Sequence, residues 1–125
     1  MPALHHLALG ARNVENIANF YHNFFGLEKI KTHKDEQGLL RSIWLDMGPG
    51  ILMIEKSDHP NSNLASMQLG KGPFLLAFRI QDKEKEAFLT KLRDEGLKIE
   101  GQTNFTIYFR DPEDNRVAIS WYELP

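Results

Sequence analysis

The sequence predicts an α+β chain built from two tandem βαβββ modules, and three observations predict it. Residues 4–9 and 74–80 are short apolar runs, and each leads into an amphipathic segment. A shift of 69 residues brings the first run onto the second, so the chain has the pattern of an internal repeat. Each amphipathic segment is then followed by three more strand-like runs. The two copies differ in chemistry, because His6 in the first corresponds to Leu75 in the second.

Module one covers about residues 1–57 and is predicted to contain one helix and four strands. Val14, Ile17 and Tyr21 recur at the spacing of one helix face. Asn13 can cap the start of this helix and Gly26 can end it. The predicted elements are a strand at 4–9, a helix at 14–25, and strands at 27–34, 39–47 and 51–54.

Module two covers residues 73–125 and repeats this order. Asp82 can start its helix and Gly96 can end it, while Ile107 and Phe109 alternate with polar residues as in a half-buried strand. The predicted elements are a strand at 74–80, a helix at 82–95, and strands at 97–102, 103–110 and 116–122. The polar residues 58–72 are the predicted linker, and residues 1–125 together are predicted to form a single domain.

Composition limits the classes of partner. The chain has 15 Lys and Arg against 17 Asp and Glu, for a formal net charge of −2, and the basic residues are scattered. This balance gives no reason to expect nucleic acid or an anionic membrane as a partner. There is no cysteine, which excludes disulfides and thiolate chemistry. Neither a signal peptide nor a membrane-spanning run is apparent, so we expect a cytoplasmic protein.

Several short motifs occur in a characteristic order along the chain. They are His6-Leu7-Ala8-Leu9, Phe20-Tyr21, Gly26-Leu27-Glu28, Leu75-Leu76-Ala77-Phe78 and the turn that begins Asp111-Pro112. In this order they resemble the vicinal oxygen chelate superfamily, which includes glyoxalase, bleomycin-resistance and extradiol-dioxygenase proteins. The resemblance implies a glyoxalase-like fold, with two curved mixed sheets that face each other across a cavity. It also implies a homodimer, and it leaves open whether the modules pair within one chain or by exchange.

The resemblance further implies where metal-dependent members hold their metal, with one ligand on the first and one on the fourth strand of each module. In this sequence those positions are His6, Leu52, Leu75 and Ala118. Only the histidine offers a donor atom, and a single imidazole holds a divalent metal weakly. Glu55 and Glu123 are expected to point to the opposite face. We therefore expect no metal cofactor, and the alternative is a divalent metal ion bound through the histidine.

Strand alternation divides each sheet into a core face and a cavity face. Taking the more apolar alternate positions as core assigns Ile51 and Met53 to the core. The predicted ligand-binding residues of the cavity face are His6, Trp44, Leu52, Leu75, Arg79, Tyr108, Arg110, Ala118 and Tyr122. Aliphatic groups beside aromatic rings suit a small organic molecule, and an arginine of this face can hold its carboxylate or phosphate.

The preferred interpretation is a metal-free protein that binds a small organic molecule, as the bleomycin-resistance branch does by sequestration. The alternative is a lyase, isomerase or dioxygenase, with His6 as metal ligand or as general base beside Tyr108 or Tyr122. A third interpretation is an interaction module without a pocket. Whichever interpretation holds, each residue also has a structural alternative. The aromatic rings can simply fill space, His6 is expected to be a hydrogen-bonded interior residue rather than an acid or base, and the arginines are expected to pair with carboxylates such as Asp46 or Asp111.

Overall fold

A computed structural model of the chain describes residues 2–58 and 73–124. Residues 59–72, which hold most of the predicted linker and His59, lie outside the described residues. The chain divides into two compact units, Met1–Pro60 and Asn61–Pro125. Each unit contains one four-stranded mixed sheet, so the predicted α+β class with two βαβββ modules is confirmed. Within the described residues, no helix has the length and apolar character needed to cross a membrane.

The first unit follows the predicted order of elements. They are β1 (His6–Ala11), α1 (Val14–Phe25), β2 (Lys29–Lys34), β3 (Leu40–Asp46) and β4 (Ile51–Lys56). The strands lie in the order β1-β4-β3-β2. The pairing of β1 with β4 is parallel, and the other two pairings are antiparallel.

Helix α1 has the predicted bounds because its end signals are local. The Asn13 side chain accepts a hydrogen bond of 2.9 Å from the backbone N–H of Asn16. Gly26 ends the helix at φ +73°, a left-handed conformation that glycine adopts without a steric penalty. The face of the helix that includes Ile17 and Tyr21 is fully buried and supplies the core of this unit.

The second unit has the same order but shorter strands than predicted. Its elements are β5 (Leu76–Arg79), a 3-10 turn (Asp82–Glu84), α2 (Lys85–Asp94), β6 (Gly101–Gln102), β7 (Thr106–Arg110) and β8 (Arg116–Ser120). The strands lie in the order β5-β8-β7-β6, again with one parallel pairing, between β5 and β8. The predicted strand at 97–102 is therefore reduced to two residues, and the last strand ends at residue 120 rather than 122.

The face assignment of β4 was wrong. Leu52 pairs directly with Leu7 and Leu45, and its side chain is fully buried. Because directly paired residues project from the same face of a sheet, this leucine belongs to the core. Ile51 and Met53 lie on the opposite face instead. Four consecutive apolar residues make both faces of β4 apolar, so the sequence of this strand alone does not distinguish them.

Candidate functional site

The face of the first sheet opposite the core carries a row of four side chains, one from each strand. Ala8 pairs with Met53, which pairs with Trp44, which pairs with Lys31. Ala8 is exposed and the methionine and tryptophan are half-buried. We call this surface the first open face. An indole and a thioether beside a methyl group make an apolar surface with room above the alanine.

His6 begins β1 on the same face, two residues before Ala8. Its Nδ1 lies 3.0 Å from Nδ1 of His5, and the two rings are nearly perpendicular. One of these nitrogens must carry a hydrogen and the other must accept it. His6 is exposed, so the reading of this residue as an interior histidine is wrong, although it does have a hydrogen-bond partner.

Trp44 has polar neighbours that the sequence analysis missed. The His33 ring centroid lies 5.1 Å from that of the indole, and the ammonium of Lys31 lies 5.6 Å from the indole centroid. In the part of the chain that the structure describes, Trp44 Nε1 and His33 Nε2 are buried and lack hydrogen-bond partners. A buried donor without a partner costs roughly 1–3 kcal/mol, so an acceptor that reached the indole N–H would gain a strong interaction.

The second sheet has an equivalent row on the face opposite its core. Ala77 pairs with Ala118, which pairs with Tyr108, which pairs with Gly101. We call this surface the second open face. Ala118 is fully buried and Tyr108 is half-buried. Each sheet therefore places one alanine from its first strand and one aromatic ring in the same row, as expected of a repeat.

The two predicted anion-binding arginines have different surroundings. Arg110 donates from Nε to Glu100 Oε2 at 2.7 Å and from Nη2 to Oε1 at 3.0 Å, rather than to Asp46 or Asp111. The hydrogen bond from this guanidinium holds the pKa of Glu100 below its usual value, with the guanidinium charge adding to the effect. Arg79 is exposed, and it makes no ion pair within residues 2–58 and 73–124. Of the two, Arg79 is the one that can bind an anion without losing a carboxylate partner.

The remaining predicted residues lie at the edges of the second sheet. Leu75 is half-buried and comes directly before β5. Tyr122 lies two residues beyond β8, is 59% exposed and packs edge-on against Phe105. The aromatic ring that does share the second open face is Tyr108, whose hydroxyl makes no hydrogen bond within the described residues.

The positions that the resemblance assigns to metal ligands do not supply a ligand set. Leu52 is on the core face, and no group of three His, Cys, Asp or Glu side chains that could hold a metal ion occurs among the described residues. Glu55 was expected on the face opposite His6, which is wrong, because it shares the first open face. Its partner in β1 is Gly10, four residues from His6, so about 13 Å of strand separates them. One ion cannot bind both side chains, and the donors present do not fit the implied metal centre.

The Glyoxalase/Bleomycin resistance protein/Dioxygenase superfamily model matches residues 3–119. The chain belongs to this superfamily. The match covers nearly the whole chain, including both sheets except Ser120 at the end of β8, and it includes both rows of the two open faces. The resemblance drawn from the motifs is therefore confirmed. None of the curated proteins matches the chain.

Solved structures similar to this superfamily member include two fosfomycin resistance proteins. A mutant FosX from Listeria monocytogenes, in complex with Mn(II) and 1S,2S-dihydroxypropylphosphonic acid, is 18% identical with a TM-score of 0.79, over 99% of this chain and 95% of that one. FosX from Mesorhizobium loti is 16% identical with a TM-score of 0.77, over 99% and 94%. Lactoylglutathione lyase from Agrobacterium tumefaciens is 21% identical with a TM-score of 0.66, over 94% and 92%. At these identities the likeness establishes the fold, and the reaction must be argued from this chain's own side chains.

Proposed function

We propose that this superfamily member binds a small organic molecule at the first open face and does so without a metal ion. A cavity between the sheets is the location expected from the sequence, and it remains a prediction. The observation that carries the proposal is the Trp44 row, where the half-buried indole lies beside Met53, and Met53 in turn lies beside the small side chain of Ala8. An apolar surface with a few polar groups is typical of small-molecule sites.

The chemistry of the Trp44 row indicates how a ligand would be held. A planar group can stack near the indole, where Lys31 favours negative charge. Trp44 Nε1 and His33 Nε2 are buried, so either atom can hydrogen-bond to a ligand only after a neighbouring side chain moves. Tyr108 and Arg79 offer a second ring and a guanidinium on the other open face. On the first open face, the indole and the Lys31 ammonium support a planar ligand that carries a carboxylate.

We propose binding without a metal ion because of the side chains at the four positions that the resemblance assigns to metal ligands. His6 is the only residue with a donor atom among the four positions that the resemblance implies, and Leu52 and Ala118 offer only hydrocarbon. A hydrocarbon side chain cannot ligate a divalent ion. His6 would then act as a hydrogen-bonding group at the edge of the first open face, next to its partner His5.

The proposal is tested by titrating the protein with a panel of planar carboxylates and neutral aromatic compounds. Trp44 fluorescence reports binding in a Trp121→Phe background, which leaves one tryptophan in the chain. We expect a saturable change with at least one carboxylate, and its weakening in Ala8→Leu, which adds bulk beside Met53 on the same open face. Ala87→Leu adds the same bulk at an exposed position of α2 and should leave binding unchanged. No saturable response from any compound would contradict the proposal.

The alternative is a metal-dependent lyase, isomerase or dioxygenase that uses His6. It is favoured by the Mn(II) in the Listeria monocytogenes structure and by the lactoylglutathione lyase of the same fold. Metal analysis of the purified protein separates the two proposals. Stoichiometric manganese, zinc, nickel or iron that is lost in His6→Ala but retained in His5→Ala would support the enzyme and contradict the metal-free protein.

Assembly and location remain predictions. A homodimer is expected by resemblance to the superfamily, and sedimentation of the purified chain would test it. A cytoplasmic location is expected because the chain has no cysteine and so no disulfide suited to an oxidising compartment.

A further inference from the structure

A second candidate site lies within the second unit, apart from the rows of the two open faces. It is a cavity of about 330 Å³ lined by Asp82, Phe105, Trp121, Tyr122 and Glu123. Three of these five residues are aromatic and the other two carry carboxylates. A volume in this range is enough for a small organic ligand.

The aromatic residues form a partly exposed cluster. The Phe105 and Tyr122 ring centroids lie 5.5 Å apart at an interplanar angle of 76°. Phe105 is 44% exposed and Tyr122 is 59% exposed, so both rings leave apolar surface open to solvent. A ring face is also electron-rich and attracts cations.

The charges around the cavity favour a positive ligand. Among the described residues, neither Asp82 nor Glu123 makes an ion pair, so both carboxylates are available to a ligand. The ammonium of Lys85 lies 4.9 Å from the Trp121 ring centroid, which shows that this indole already accepts a cation. Lys85 does not line the cavity, and among the described residues none of those that line it is basic.

We propose that this cavity binds a small organic cation of the quaternary ammonium class. The methyl groups of such a cation would contact Phe105 and Tyr122, and its charge would be balanced by Asp82 and Glu123. Inorganic cations are strongly hydrated and gain little from aromatic rings, whereas a quaternary ammonium is poorly hydrated and has no hydrogen to donate. Rings and unpaired carboxylates together therefore suit it better than a metal ion or a neutral solute.

The test titrates tetramethylammonium and choline into a Trp44→Phe protein, so that Trp121 supplies the fluorescence signal. Sodium chloride is varied in parallel to keep ionic strength constant. The matched neutral probe is 3,3-dimethyl-1-butanol, which has the shape of choline without its charge. We expect saturable binding of both cations and at least about tenfold weaker binding of the neutral alcohol. Equal binding of the alcohol and choline would overturn the proposal.

Variants locate the binding. Asp82→Asn and Glu123→Gln should each weaken choline binding about two- to fivefold, since each removes one nearby charge. Lys85→Gln should strengthen it by a similar factor, because it removes a competing positive charge close to Trp121. Tyr122→Leu keeps an apolar side chain at an exposed position but removes the ring, and it should weaken binding further. Unchanged affinity in all four variants, with circular dichroism confirming the fold, would contradict the site.

A quaternary ammonium group also occurs in lipid headgroups. A vesicle-binding experiment therefore distinguishes a free cation from a headgroup as the ligand. The protein is sedimented with phosphatidylcholine vesicles and with phosphatidylglycerol vesicles. For a free solute we expect choline binding without vesicle association. Association with phosphatidylcholine alone, lost in Tyr122→Leu, would assign the same site to the headgroup and overturn the free-solute form of the proposal.

Discussion

The Arg110 guanidinium holds the Glu100 carboxylate through two hydrogen bonds, Nε to Oε2 at 2.7 Å and Nη2 to Oε1 at 3.0 Å. A third donor of the same group, Nη1, reaches the backbone oxygen of Asp114 at 2.9 Å. Glu100 comes directly before the two-residue strand β6, and Arg110 is the last residue of β7. The arginine side chain therefore links the start of β6 to the end of β7 and to the turn that follows β7. The Glu100 backbone N–H also donates to the Tyr108 carbonyl at 2.8 Å, so the ion pair strengthens a β6–β7 pairing that has few ladder hydrogen bonds.

Glu100→Gln is expected to destabilise the protein by about 1 kcal/mol, because the paired side chains are only 29% and 19% exposed and the bond is charge-assisted. The measurement is the free energy of unfolding from urea titration. Glu55→Gln is the matched control, since Glu55 pairs with Arg41 at 3.5 Å with 36% and 64% of the two side chains exposed. That exposed pair should contribute close to nothing. If the two substitutions lower the free energy of unfolding equally, the Glu100–Arg110 pair is not more stabilising than the exposed Glu55–Arg41 pair, and the prediction is wrong.

Because of the same ion pair, we expect the free energy of unfolding to decrease at low pH. The Arg110 hydrogen bond holds the pKa of Glu100 below the ordinary value of 4.5, and burial opposes this only partly. A carboxylate with a lowered pKa in the folded state contributes its full stabilisation above the unfolded-state pKa, and this is lost as pH falls through the folded-state pKa. Stability should therefore decrease below about pH 4.5. In Glu100→Gln this part of the decrease should disappear, which unfolding measured from pH 7 to pH 3 would reveal.

The buried carboxylate of Asp111 is expected to be costly to remove. It is 2% exposed and accepts hydrogen bonds of 2.9 Å from the backbone N–H groups of Glu113 and Asn115. Asp111→Ala would leave these partly buried donors without their acceptor, so we expect a loss of about 2–3 kcal/mol in the free energy of unfolding.

Asp35 supplies the matched control for this prediction. Its carboxylate also accepts two backbone hydrogen bonds of 2.9 Å, from Gln37 and Leu39, but in an exposed turn. Water can replace the lost acceptor there, so Asp35→Ala should cost about 1 kcal/mol or less. If Asp35→Ala is as destabilising as Asp111→Ala, burial is not the cause.

Local signals in the sequence were sufficient for α1 and insufficient for the first open face. Asn13 and Gly26 set the ends of the helix through contacts within a few residues, so its bounds could be predicted. Lys31 reaches the Trp44 face only because the β2–β3 pairing shifts by one residue between Lys29 and Lys31. Without that shift Lys31 would pair with Ile43, on the core face. Such a shift depends on the partner strand and leaves no mark in the sequence of β2.

The corrected face of β4 gives the last prediction. Leu52 is fully buried in the core, whereas Met53 is half-buried on the first open face beside Trp44. Leu52→Ala should therefore lower the free energy of unfolding by about 2–5 kcal/mol, and Met53→Ala by about 1 kcal/mol. For ligand affinity we expect the opposite order. Met53→Ala should weaken binding because it removes part of the surface beside the indole. Leu52→Ala, measured under conditions in which the protein remains folded, should leave the affinity unchanged because Leu52 is not on that face. A Leu52→Ala protein of unchanged stability would mean that this side chain faces the ligand side, as the sequence first indicated.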